Sequence, residues 1–115
     1  MGAEPLIQAS LLGEAIDGGP ALVFVADEHM RYVAVNQFAA DVLGYTRSEL
    51  LALRVSDVAA YADASDEYGE VVLHGARRGK STLTRKDGTT VTFRYVATET
   101  RVAGMPLYVS VGFLA

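Results

Sequence analysis

Four carboxylates within one short segment, Asp63, Asp66, Glu67 and Glu70, are the densest set of proton-transferring groups in this 115-residue chain. At helical spacing they converge along one helix, as an acid and base pair would need to. The structural alternative is a solvated helix start, where the helix dipole favours acids. The two histidines, His29 and His74, are far apart, and no cysteine accompanies them, so no zinc-ligand spacing exists. The six serines, Ser10, Ser48, Ser56, Ser65, Ser81 and Ser110, lack a nucleophile-elbow context, and no glycine-rich phosphate loop follows a strand. Without cysteine there is also no disulfide and no thiolate chemistry. Catalysis is therefore not expected. A small α+β enzyme using Asp63 to Glu70 as acid or base is kept as the rival reading.

Arg77, Arg78 and Lys80 form the one dense cationic cluster, expected at a solvated helix end whose carbonyls they complement. Ten basic against fourteen acidic residues give 10 − 14 = −4, and no basic stripe accompanies them, which argues against direct nucleic-acid binding. Half the residues are apolar, enough for one domain with a real core. No apolar run approaches the roughly 20 residues of a membrane span, and Met1 to Ile16 lacks the basic start and apolar core of a signal peptide. A cytoplasmic setting is expected, in a piece excised from a longer protein.

The elements that would position any site follow from periodicity. Glu4 to Ile16 reads as a helix with Leu6, Ile7, Leu11, Leu12 and Ile16 as a broad apolar stripe, ended by Asp17-Gly18-Gly19-Pro20. The stripe is expected to pack on the chain's own sheet, to form a dimer seam, or both. Ala21 to Asn36 holds two strand-like runs around a polar turn, Asp27 to Met30, where Asp27 is expected to bond backbone amides. Val55, Val58, Ala59 and Tyr61 suggest a helical turn, and Ala62 to Ala76 a longer helix carrying Tyr68, Val71, Val72 and His74. Gly75 and Gly79 bracket its end. Ser81 to Arg85, Thr89 to Thr100 and Leu107 to Leu114 read as strands. Asp87-Gly88 predicts a tight two-residue primed turn between the first two, and Ala103 to Pro106 a loop between the last two. In Thr90 to Val96, Val91, Phe93 and Tyr95 share one face and Thr92, Arg94 and Val96 the other, so the first set is expected inside.

One segment ties these elements together. In VNQFAADVLGYTRSEL, Val35 to Leu50, Asn36 can cap a helix on which Phe38, Val42 and Leu43 share a face, and Gly44 ends it. Thr46 and Glu49 then form a capping box for another helix. This segment resembles the central signature of PAS domains. The resemblance extends from Pro20 to Leu114 through ALVFVADEHMRYVAVN, LTRKDGTTVTFRYVA and LYVSVGFL. It implies an α+β fold, a PAS-like five-stranded antiparallel sheet with short helices on one face, with 1–19 as N-terminal helix and linker and 20–115 as the domain.

It also implies a sensory signalling module of a larger protein, such as a histidine kinase or transcription regulator, binding a small ligand in an internal cavity, dimerising, or both. Matching to PAS relatives puts Tyr108, Ser110 and Gly112 inside, leaving Leu107, Val109, Val111 and Phe113 as an outer strip. The candidate cavity residues are Phe38, Leu43, Tyr61, Tyr68, Val72, Phe93, Tyr95, Tyr108 and Ser110. The candidate homodimer surface is Leu6, Leu12 and the outer face of the last strand. No cofactor is expected. The flavin-binding branch needs a reactive cysteine and a glutamine where Gly112 stands. The haem-binding branch places its histidine three residues before a tyrosine matched by Tyr68, which is Ser65 here. His74, on the same helix, is the remaining alternative for a haem gas sensor.

Overall fold

Strand alternation and one long β-ribbon account for most of the architecture. The structure is a computed structural model and describes residues 3–59 and 76–115. Tyr61 and the expected helix from Ala62, with Tyr68, Val72, His74 and the four carboxylates, lie outside the described residues, and Ala76, expected at its end, opens a strand instead. The element order is α1 (Ala3–Asp17), β1 (Leu22–Ala26), β2 (Tyr32–Val35), α2 (Gln37–Leu43), α3 (Arg47–Leu50), α4 (Val55–Val58), β3 (Ala76–Thr84), β4 (Thr90–Val102) and β5 (Met105–Leu114). The strands form one antiparallel sheet in the order β2-β1-β5-β4-β3. This is the expected five-stranded α+β arrangement.

Alternation decides the two faces. Leu22, Phe24 and Ala26 are buried while Val23 and Val25 are half-buried. In β4, Phe93, Tyr95 and Ala97 are buried and Arg94, Val96 and Thr98 exposed. In β5, Tyr108, Ser110 and Gly112 are buried, and Leu107, Val109 and Val111 half-exposed. The inner face so defined joins Leu43, Leu50, Val55, Val58 and Leu83 in a single core.

Local chemistry sets the helix boundaries. Asn36 has extended backbone and accepts from the Ala39 amide, opening α2, and Gly44 closes it at φ 77°. Thr46 and Glu49 form the full capping box that opens α3. On α2 the most buried residues are Ala39, Ala40 and Leu43, with Phe38 and Val42 packed at the margin of the core.

Three expectations are corrected. Arg77, Arg78 and Lys80 stand in β3, not at a helix end, because nine cross-strand pairs with β4 extend the strand back to Ala76. Gly79 is therefore a strand residue. Asp87-Gly88 is not a two-residue primed turn. Arg85 pairs with Thr89 around Lys86, Asp87 and Gly88, and only Gly88 has positive φ, while the Asp87 side chain accepts from the Thr89 amide at 2.9 Å. The two-residue primed turn is instead Ala103-Gly104, both at positive φ, closing the Val102–Met105 pair. Finally, α1 does not use its apolar stripe to cover its own sheet: Leu6 and Leu12 are 71% and 69% exposed, and Ile7, Leu11 and Ile16 are exposed too.

Candidate functional site

The inner face of the sheet is the surface on which the candidate residues meet. An aromatic row crosses it, with Tyr32 against Phe24 at 5.6 Å between ring centres, Phe24 edge-on to Phe93 at 5.5 Å, and Phe93 stacked on Tyr95 at 5.5 Å. Phe93 and Tyr95 fall on this face because they are two residues apart in one strand. Tyr108 and Ser110 do so for the same reason on the neighbouring strand. Leu43, the last residue of α2, is fully buried. Phe38 is half-buried, and its ring lies against Gly19 so closely that a Cβ there would be 2.6 Å away. The remaining candidates, Tyr61, Tyr68 and Val72, lie outside the described residues. Phe24 and Tyr32 were absent from the candidate set, although the alternation of Leu22, Phe24 and Ala26 marks Phe24 as inward.

Among the described residues, Ser81, Ser110 and the Tyr95 hydroxyl are buried polar groups on this face. The Tyr95 ring reaches over β3, where Gly79 leaves room: a Cβ at Gly79 would sit 2.9 Å from Tyr95 Oη. Burial, reinforced by Glu99 and Glu28, pushes the Tyr108 phenol above its ordinary value, so it stays a neutral donor at physiological pH. Gly112 has no space for any side chain, since a Cβ would lie 1.8 Å from the Arg94 carbonyl oxygen. A glutamine there would require the β4 and β5 backbones to move apart. Among the described residues, no group of three or more His, Cys, Asp or Glu side chains is placed to hold a metal.

A polar hub stands between this face and α1. Asn36 Nδ2 donates to the carbonyls of Ile16 and Ala21 at 2.7 and 2.8 Å, and its Oδ1 accepts from the amides of Val23 and Ala39, both at 3.1 Å. One buried side chain thus joins the end of α1, the start of β1 and the start of α2. Beside it, Asp17 Oδ1 accepts from the Gln37 amide at 2.9 Å and from Arg47 Nη2. The capping role of Asn36 was legible in the sequence; its two long-range bonds were not. Asp27 plays its expected part in the first hairpin, accepting from the His29 and Arg31 amides at 2.9 and 3.0 Å.

The outer face differs in character. Val96, Val111 and Phe113 border a cleft of about 450 Å³ with Arg78, Lys80 and Arg94. A second cleft, about 530 Å³, lies between Phe113 and the end of α1, where Leu12, Ala15 and Ile16 line it. Phe113 is 55% exposed. Among the described residues no helix is long and apolar enough to cross a membrane.

No family model matches the chain, and no curated protein does. Solved structures do. The chain is similar to a PAS domain from a two-component sensor histidine kinase, with a TM-score of 0.85 and 12% identity over 97% of this chain and 100% of that one. It is similar to the PAS domain of an HTR-like protein from Haloarcula marismortui, with a TM-score of 0.85 and 20% identity over 98% and 96% of the two chains. It is also similar to a domain of a sensory box sensor histidine kinase/response regulator from Geobacter sulfurreducens, with a TM-score of 0.78 and 23% identity over 96% and 97%. The fold is the PAS fold.

Proposed function

We propose that this chain is a non-catalytic sensory module of a larger signalling protein, working in the cytoplasm, with 1–19 as helix and linker and 20–115 as the sensing domain. The observation that carries this reading is the coexistence of a PAS fold with two distinct surfaces. One is an inner face holding buried hydroxyls among aromatic rings. The other is an outer face and an N-terminal helix whose apolar residues face water.

On the inner face a small ligand would rest against Phe93, Tyr95, Tyr108 and Ser110, with Leu43 and Phe38 at its margin. Tyr61, Tyr68 and Val72 complete the proposed set. Hydroxyls orient the ligand's polar end while the rings supply apolar area. No cofactor is part of this proposal.

On the outer side, a second copy of the chain covers Leu6, Leu12 and the strip ending in Phe113. Apolar patches of this kind mark interaction sites. Asn36 and Asp17 fasten the end of α1 to the strands and helices of the sensing core. A ligand that favours one arrangement of the core by differential affinity would thereby shift α1 and its partner.

Native mass spectrometry of protein purified from its own host, before and after denaturation, tests both halves. The expected result is a dimer carrying a small molecule that is lost on denaturation. A monomer with no added mass under either condition overturns the proposal.

A further inference from the structure

The outer face of the sheet changes character from one end to the other. Lys80 pairs with Arg94 and Arg94 with Phe113, so three neighbouring strands, about 5 Å apart, carry two cations and then a ring. In the next outward row Arg78 pairs with Val96, and Val96 with Val111. Phe113 is the wall shared by two clefts. The one toward β3, about 450 Å³, is bordered by Arg78, Arg94, Val96 and Val111. The one toward α1, about 530 Å³, is bordered by Leu12, Ala15, Ile16, Pro20 and Ala21, which are all apolar. Both volumes fall in the range of small-ligand sites, roughly 300–1,000 Å³.

Among the described residues no carboxylate lines either cleft. Arg78 and Arg94 are exposed, and neither has an ion-pair partner or a side-chain hydrogen bond among the described residues. Lys80 is engaged elsewhere and is not counted. The groove therefore offers two open guanidinium forks at one end and apolar surface alone at the other. Such a division matches a molecule that is anionic at one end and hydrocarbon at the other. A guanidinium meets a carboxylate with two parallel bonds, and each methylene carried past Phe113 toward the end of α1 leaves water for apolar surroundings.

We propose that this groove binds a single-chain fatty carboxylate, with its head on Arg78 and Arg94 and its tail running past Phe113 into the cleft beside α1. The site is separate from the inner face and needs no inner-face ligand. It shares Leu12 and Phe113 with the surface assigned above to a second copy, so the carboxylate and that copy compete.

The test separates charge from chain. Octanoate carries both, octanamide the chain alone, and butyrate the charge with little chain. Each is titrated into the isotopically labelled protein while the backbone amides of Ile16, Ala21, Val96 and Phe113 are followed. Octanoate is expected to shift these amides and to bind at least about tenfold more tightly than either of the others, a difference of about 1.4 kcal/mol. Arg78→Gln combined with Arg94→Gln removes the advantage over octanamide and leaves octanamide binding unchanged. Leu12→Gln, at an exposed helix position, is the independent second variant and weakens octanoate and octanamide alike. Octanamide matching octanoate, an advantage that survives the double substitution, or octanoate binding untouched by Leu12→Gln overturns the inference. Shifts confined to the inner-face amides of Ala97 and Ser110 do the same. No response to octanoate also overturns it, and binding to phosphatidylglycerol vesicles in that case would make the face a membrane-docking surface instead. Light scattering of the ligand-free protein reports on the dimer alone, so a monomer there ends the dimer reading and leaves this one standing.

Discussion

Gly112 and Asn36 show how single residues hold this sheet together. At Gly112 the β4 backbone passes so close that a Cβ would meet the Arg94 carbonyl oxygen at 1.8 Å. Backbone cannot swing aside as a side chain would. Gly112→Ala should therefore destabilise the domain by about 3 kcal/mol, as overpacked sites do. Gly13, in the middle of α1 with open space around it, provides the contrast. Gly13→Ala should stabilise α1 by up to about 1 kcal/mol through helix propensity. Chemical denaturation of the two variants checks the pair, and a wild-type midpoint for Gly112→Ala would show that β4 and β5 are not so closely apposed. Asn36 is the polar counterpart, with both donors and both acceptor positions of its amide used. Its cap on α2 is visible in the sequence because Asn before an amphipathic run is a local signal. Its grip on Ile16 and Ala21 is a tertiary event that no spacing rule anticipates.

Among the elements, α1 and β3 depart most from their expected settings. Asp17 closes α1 and is tied to the Gln37 amide and to Arg47. The Gln37 hydrogen bond, followed by that from Arg47, holds its carboxyl below the ordinary aspartate value of 3.8. A carboxylate whose folded pKa is depressed stabilises the fold above its unfolded pKa, and the contribution is lost as pH falls through the folded value. The anchoring of α1 should thus be constant around neutrality and loosen only in strong acid. The Gln37 amide nitrogen shift, followed by NMR as the pH is lowered, should titrate with the Asp17 carboxyl, and Asp17→Asn should abolish that titration. A Gln37 shift that stays flat while Asp17 protonates would show that the bond does not persist in solution. In β3, the cationic run from Arg77 to Lys80 has no apolar alternation of its own to announce a strand. The nine pairs with β4 impose the strand from outside, and parity then sends Arg77 inward and Arg78 and Lys80 outward.

For the molecule as a whole, the costly feature is the apolar surface left facing water. Leu6, Ile7, Leu11 and Leu12 on α1 and Val96 and Phe113 on the sheet are all exposed. Arg94 lies directly opposite Lys80 on the outer face. The described cations do not come from α1, which carries acids only. A second copy laying its helix near this face would bury apolar area and bring acids toward Arg78, Lys80 and Arg94. Leu12→Glu combined with Val111→Glu should accordingly yield a folded monomer by light scattering with unchanged far-ultraviolet circular dichroism. A dimer mass that survives both changes would move the interface elsewhere, and a monomeric wild type would remove it.

Features that rest on local chemistry are legible in the residues alone: the caps at Asn36 and Thr46, the stop at Gly44, the Asp27 turn, and the inward parity of Phe93 and Tyr95. Each depends on neighbours within a few residues, where spacing and side-chain type carry the physics. Resemblance supplied the sheet as a whole and the inward parity of Tyr108 and Ser110, which alternation left open because both faces of β5 are apolar. Where β3 begins, which hairpin takes the primed turn, and that Arg77 shares a face with the tyrosines emerge from the folded chain alone. Those outcomes depend on strand pairing between distant segments, and the energy of pairing belongs to neither strand alone.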